Sequence, residues 1–370
     1  MPSRIEETDR PLSQLINTAT RSVHMQLNQL VVSRLTIALP PHAQDASNYV
    51  SGLLHITPIY IVFESLWHNI LNPAPDVDDS NTDDTGVAQP DSTDIEILPD
   101  LMHLAHTPTI DQRMRSVLSD LRLPGLIRSQ ELQKDIISLT GWSSLTVVEH
   151  LNDSAELPVL GEFLYHIKHA VEERPHVLLA YAWVLYMALF SGGRIIRATL
   201  EKVDSGFWIP ASAAAATSHH HLLLRQHRPT SSMGNNPGSS STATAATATG
   251  PLHFFSFAAT EEDKNDDGNG KGNGGEDLKT AFKQRLAGSE SRLTTKERDE
   301  IVREARSIFA YMVRLVEELD DICDTDPLAG RMLSLRSRDS VVVEKERRAA
   351  LAVLAKRVAA EEGQESGSDA

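Results

Sequence analysis

VLLAYAWVLYMALFSGGRIIR, residues 177–197, runs without a polar break from Val177 to Phe190, meets Ser191, Gly192 and Gly193, and then resumes a helical pattern with Arg194, Ile195, Ile196 and Arg197. The apolar part is shorter than the roughly 20 residues a helix needs to cross a bilayer, and Arg194 follows it closely. A helix that is apolar all round and too short for a membrane is expected to be buried within a protein core. Glycine commonly marks a helix end. Because the periodic pattern continues past the pair, a bend is expected here instead, placing a backbone without Cβ atoms close to whatever lies beneath it.

Other segments supply the partners for such a helix. From Pro11 to Leu30, the residues Leu12, Leu15, Ile16, Ala19, Val23, Leu27 and Leu30 recur at three- and four-residue steps, the stripe of an amphipathic helix. Tyr49 to Leu71 predicts a second helix, bent near Pro58, which lacks a backbone donor. It contains His55 and Glu64, which suit a packed core better than lipid. Helical patterns recur over Ile95–Leu123, Ser129–Leu139, Leu157–Glu173, Lys279–Leu286 and Thr295–Asp321, and strand alternation is almost absent. The expected fold class is all-α. One domain over 11–330 is expected, with a disordered N-terminus over 1–10, disordered insertions at about 73–94, 210–250 and 261–275, and a polar tail over 331–370 that is partly helical at most. Between the last two insertions, PLHFFSF carries Phe254, Phe255 and Phe257, too apolar to be left in solvent, so this island should dock back on the domain.

Composition excludes several functions. Lys+Arg 35 against Asp+Glu 51 gives a net charge of -16, which repels a polyanion, so nucleic acid is not an expected partner. Cys323 is the only cysteine, which rules out an intrachain disulfide and a thiolate metal cage. A cytoplasmic, reducing setting fits that usage. The N-terminus has no apolar leader, and the charged stretch 341–370 offers no stable membrane anchor. There is no phosphate-binding glycine loop, nucleophile elbow or zinc-binding cysteine pattern. The run His219–His221 lies in a low-complexity tract and carries no functional weight.

Four segments taken in order, TATRSVHMQL around His24, LFSGGRIIR around Gly192-Gly193, HFFSF, and IVREARSIFAYMVRLVEEL, together resemble the haem oxygenases. The resemblance spans about Pro11 to Asp321, interrupted by the insertions. It implies a haem-oxygenase-like multi-helical bundle that clamps haem between the helix of His24 and the helix bent at Gly192-Gly193. His24 would be the axial ligand, as a neutral imidazole suits haem iron. Gly192 and Gly193 would lie over the distal face, and Tyr60 would correspond to the family's distal tyrosine in a water-linked network. Arg21, with Lys279 and Lys283 one turn apart and Arg285 as an alternative, would face the propionates. Phe309 and Phe254 or Phe255 would form pocket wall. The implied reaction opens haem to biliverdin, carbon monoxide and iron, using O2 and electrons from an NADPH-dependent reductase.

The chain also departs from that pattern. Two residues before Ser191 the family usually carries an aspartate that orders the distal water and steers activated oxygen onto the ring; here it is Leu189, preceded by Ala188 in place of glycine. A leucine neither donates nor accepts a hydrogen bond. Asn28 replaces an acidic residue near the proximal ligand, and Asn17 a basic one. A haem sensor or carrier with weak turnover is therefore an alternative to an oxygenase. A non-haem di-iron oxidase of the same architecture is a further alternative, for which Glu162, His166, His169 and Glu172 supply ligand types on one helix.

Overall fold

The computed structural model describes residues 10–73, 98, 102, 110–210, 252–257 and 274–323. Among these there is no strand. Helices α1 (Leu12–Ile37), α2 (Ser47–Leu71), α3 (Gln112–Leu121), α4 (Ser129–Thr140), α5 (Ser144–Ala155) and α6 (Pro158–Glu173) are followed by the helical run α7 (Pro175–Ser191), then α8 (Gly193–Leu200), α9 (Gly274–Ser289) and α10 (Thr295–Ile322).

Local chemistry sets many of the ends. Asp111 and Ser143 cap α3 and α5 by accepting the N–H groups of Met114 and Thr146. Gly141, at φ 68°, ends α4 in the left-handed conformation that glycine adopts without strain. Thr294 and Glu297 form a capping box at the start of α10. Glu297 also accepts from Arg113 at 2.7 Å, which ties α10 to α3.

The longest helices, α1 and α10, run parallel. The Leu12 N–H donates to Glu290 at 2.8 Å at one end, and the Arg34 Nε donates to Asp320 at 2.7 Å at the other. Helix α2 passes through the centre and buries Ile59, Val62, Phe63, Leu66, Trp67 and Ile70. By length and composition α2 could cross a membrane, as could α7 and α8 taken together, but most of the apolar window of α2 is buried inside the protein. Pro58 lies within α2 without ending it.

Helix α7 is buried on every side from Val177 to Tyr186, as its composition requires, and Ala188 and Ser191 are exposed near its end. It contains one wide turn, Ala182–Tyr186, with π geometry. Gly192 keeps right-handed helical dihedrals, φ -73° and ψ -37°, and the axis turns by 41° between α7 and α8. The expected bend, rather than a stop, is what forms.

Several elements differ from expectation. Helix α5 has no clear apolar stripe in the sequence and lies outside the expected helices, since Val147, Val148 and Leu151 are the only apolar residues on its buried face, beside Ser154. Helix α1 continues seven residues beyond Leu30. Gly274 and Gly275, expected in a disordered insertion, begin α9, where Phe257 packs over Gly275 closely enough that an added Cβ would lie 3.1 Å from its ring. The segments 1–9, 74–97, 211–250, 258–273 and 324–370, with nearly all of the expected insertions and tails, lie outside the described residues.

Candidate haem site

A cavity of about 320 Å³ opens between the second half of α1, the first half of α2, the α7–α8 bend, the island 252–257 and the last turns of α10. That volume is at the small end of the range for small-molecule sites. Its walls are largely apolar, with Leu35, Leu53, Ile56, Leu185, Leu189 and Phe255 among them. Gly193 forms part of the roof. A Cβ added there would lie 3.0 Å from Leu189 Cδ1 and 3.2 Å from Phe255 Cδ1, so no side chain fits without displacing one of them. Leu189, at 6 % exposure, holds the position where a hydrogen-bonding group was expected from the resemblance.

The island is fastened by two buried charges. Asp135 accepts from the backbone N–H groups of His253 and Phe254 at 3.0 and 2.9 Å, and pairs with the His253 ring at 2.7 Å. Burial raises the Asp135 pKa, and these hydrogen bonds oppose the rise. Arg128 donates to the Ser256 carbonyl at 2.7 Å and lies over the Phe257 ring. Arg128 and Ser129 also donate their backbone N–H groups to Glu64, which accepts from the Tyr186 hydroxyl at 2.8 Å. Burial raises the Glu64 pKa against those three bonds. Phe254 and Phe255 are thus held against the cavity by groups that cannot leave the core without losing their partners.

Tyr60 lines the cavity edge-on to Phe254, and its hydroxyl donates to the Leu185 carbonyl at 3.2 Å. That carbonyl belongs to the wide turn of α7, where the usual helical pairing is displaced. Burial, reinforced by the Glu64 carboxylate, raises the Tyr60 pKa and keeps the phenol protonated. Its single proton is thereby committed to protein.

The other expected site residues lie outside the cavity lining. His24 is exposed on α1, its ring 5.2 Å from that of Phe309 on α10, and among the described residues neither ring nitrogen has a hydrogen-bond partner. It shares a helix face with Val31, which does line the cavity, two turns further on. Phe309 likewise sits two turns before Val316 on α10. His24 and Phe309 therefore mark the continuation of the seam between α1 and α10 from which the cavity opens. Arg21 is exposed. Lys279 is bound to Glu276 at 3.1 Å, and Lys283 is exposed nearby on the same helix. Gly192 is outside the lining, so Gly193 alone of the pair forms it. Arg285 donates to the Asp120 carbonyl and is turned toward α3.

Two features escaped the sequence reading. Arg194 reaches the same Glu276 as Lys279, at 3.1 Å, bringing a second cation to that carboxylate one residue past the roof glycine. Arg34 and Asp320 place a buried ion pair at the cavity wall. Neither pairing follows from local spacing, because the partners lie 82 and 286 residues apart. The di-iron alternative finds no support: among the described residues no group of three or more His, Cys, Asp or Glu could hold a metal. Glu162 is taken by Arg314 and Tyr311, and His166 by Glu304.

The arrangement is that of an all-helical protein with an apolar cavity roofed by a glycine-bent helix. The family model described as heme oxygenase matches residues 108–318, more than half of the sequence, and the chain belongs to the heme oxygenase family. It is 24% identical over 196 residues to the heme-binding protein HMX1 of Saccharomyces cerevisiae, an alignment covering 52% of this chain and 50% of that protein. The chain thus spans about half the length of this curated relative. A solved structure, heme oxygenase 2 from Chlamydomonas reinhardtii without heme, is similar at a TM-score of 0.49 with 14% identity, covering 83% of this chain and 97% of the other.

Proposed function

We propose that the chain binds haem along the seam between α1 and α10, with the ring edge in the cavity under Gly193 and His24 as axial ligand, and opens the ring to biliverdin, carbon monoxide and iron. The observation that carries this reading is Gly193, a buried roof residue with no space for a side chain, set in a bent helix of a heme oxygenase family member. The free ring nitrogens of His24 suit a metal-binding imidazole. When bound, haem supplies the iron at which O2 is activated and is itself the substrate, with an NADPH-dependent reductase as electron source. The protein's part is orientation. Leu35, Leu53, Ile56 and Phe255 exclude water, and the cations Arg194, Lys279 and Lys283 around Glu276 provide a place for the propionates. Supplying haem, O2 and a reductase system while following the Soret band tests the reading. Pigment with the spectrum of biliverdin is expected, and tight haem binding with no pigment contradicts ring opening.

Leu189 favours a second reading, in which haem is bound but turned over poorly. It lines the cavity where an ordered water would need a partner, and the Tyr60 hydroxyl already donates its hydrogen bond to the Leu185 carbonyl. The variant Leu189→Asp separates the two. On the weak-turnover reading it raises the ring-opening rate by about tenfold or more, the scale of restoring one positioned hydrogen bond; an unchanged rate goes against it.

A further inference from the structure

A second depression, of about 500 Å³, shares no residue with the apolar cavity and lies where the last turn of α2 meets one face of α3. Its lining is polar, with Asn72, Gln112, Arg115, Ser119, Asp120 and Arg122. Arg115 donates to the carbonyls of Ile70 and Leu71, both at 3.2 Å, which holds its guanidinium at the rim. The Arg122 guanidinium has no hydrogen-bond or ion-pair partner among the described residues, and its buried Nε lacks an acceptor. Elsewhere Arg34, Arg113, Arg298 and Arg314 each meet a carboxylate.

The carboxylate in the depression, Asp120, pairs with neither of these two groups. Asp120 Oδ2 accepts from Arg292 at 2.7 Å, and its main-chain oxygen accepts from Arg285 at 2.9 Å. Two guanidinium groups, Arg115 and Arg122, therefore line the depression with no carboxylate partner among the described residues, in a chain whose net charge is -16. Such a local surplus is self-repelling unless an anion joins it. The planar fork of arginine matches phosphate oxygens, and the Gln112 amide and Ser119 hydroxyl add neutral donors. The overall negative charge disfavours an extended polyanion and leaves a compact one.

We propose that this depression binds a small phosphate-bearing molecule, gripped by Arg115 and Arg122. This site stands apart from haem and does not depend on the haem reading.

Isothermal titration of the full chain with sodium pyrophosphate at low ionic strength, against matched sodium chloride, tests it. One saturable site is expected. Arg122→Gln, which removes no contact seen within the protein, should weaken binding about tenfold or more, the scale of one charge-assisted pair. Arg115→Gln should weaken it similarly, while Arg314→Gln, whose guanidinium serves Glu162, should leave it unchanged. Haem titration of the same samples should not change with Arg122→Gln. Absence of saturable heat, wild-type affinity in Arg122→Gln, or equal weakening by Arg314→Gln would overturn the proposal.

Discussion

Gly193 and Leu189 lie one turn apart on the bent helix, and together they decide how much of the roof is backbone and how much is side chain. In Gly193→Ala the new methyl meets Leu189 on one side and Phe255 on the other. Leu189 can rotate, but Phe255 belongs to an island fixed by Asp135 and Arg128. Overpacking of this kind costs about 1–3 kcal/mol, measurable as a lower denaturation midpoint, and the cavity should lose haem affinity in parallel. Gly193 was legible in the sequence because a glycine inside a continuing helical pattern needs a reason. The Arg34–Asp320 pair was not legible, since each residue alone reads as a solvated surface charge and only the parallel packing of α1 on α10 buries them.

At the scale of elements, the wall formed by residues 252–257 depends on one carboxylate. Asp135→Ala leaves two backbone N–H groups and the His253 ring without their acceptor, and unpaired buried donors cost about 1–3 kcal/mol each. Stability should fall by about 2–4 kcal/mol in urea unfolding, and haem affinity should fall with it as Phe254 and Phe255 lose their anchor. The start of α10 makes a pH prediction. Burial of Glu297 works against its ionisation, but hydrogen bonds from Arg113 and Thr294 outweigh this and hold its pKa at about 2. A lowered folded-state pKa contributes stability above the unfolded value, which is lost as pH falls from about 4.5 toward about 2. Glu297→Gln should therefore be less stable than wild type at neutral pH and show a shallower acid loss over that interval. The sequence disclosed these elements unevenly. Helix α7 announced itself by length and apolarity, and the island by three phenylalanines among low-complexity residues. Helix α5, with three buried apolar residues, was hidden by its mixed face.

Across the whole molecule, the family match covers 108–318 and so takes in the bend, the island and most of α10, but not α1 or α2. The cavity roof is therefore within the matched region, while the proposed role of His24 rests on its own segment and on its place along the seam. The fold could be anticipated from periodicity because each helix is specified locally. The site could be anticipated only in part, because the cavity is bounded by turns of α1 and α10 that follow His24 and Phe309 rather than by those residues themselves. Haem ligation by this chain requires that the exposed imidazole of α1 reach the iron. Titrating haem into the full chain and into His24→Ala, and recording the optical spectra, answers this most directly. A one-to-one complex with an imidazole-ligated Soret band is expected in the wild type, with loss of that band and weaker binding in His24→Ala. Identical spectra and affinities in the two proteins would contradict it.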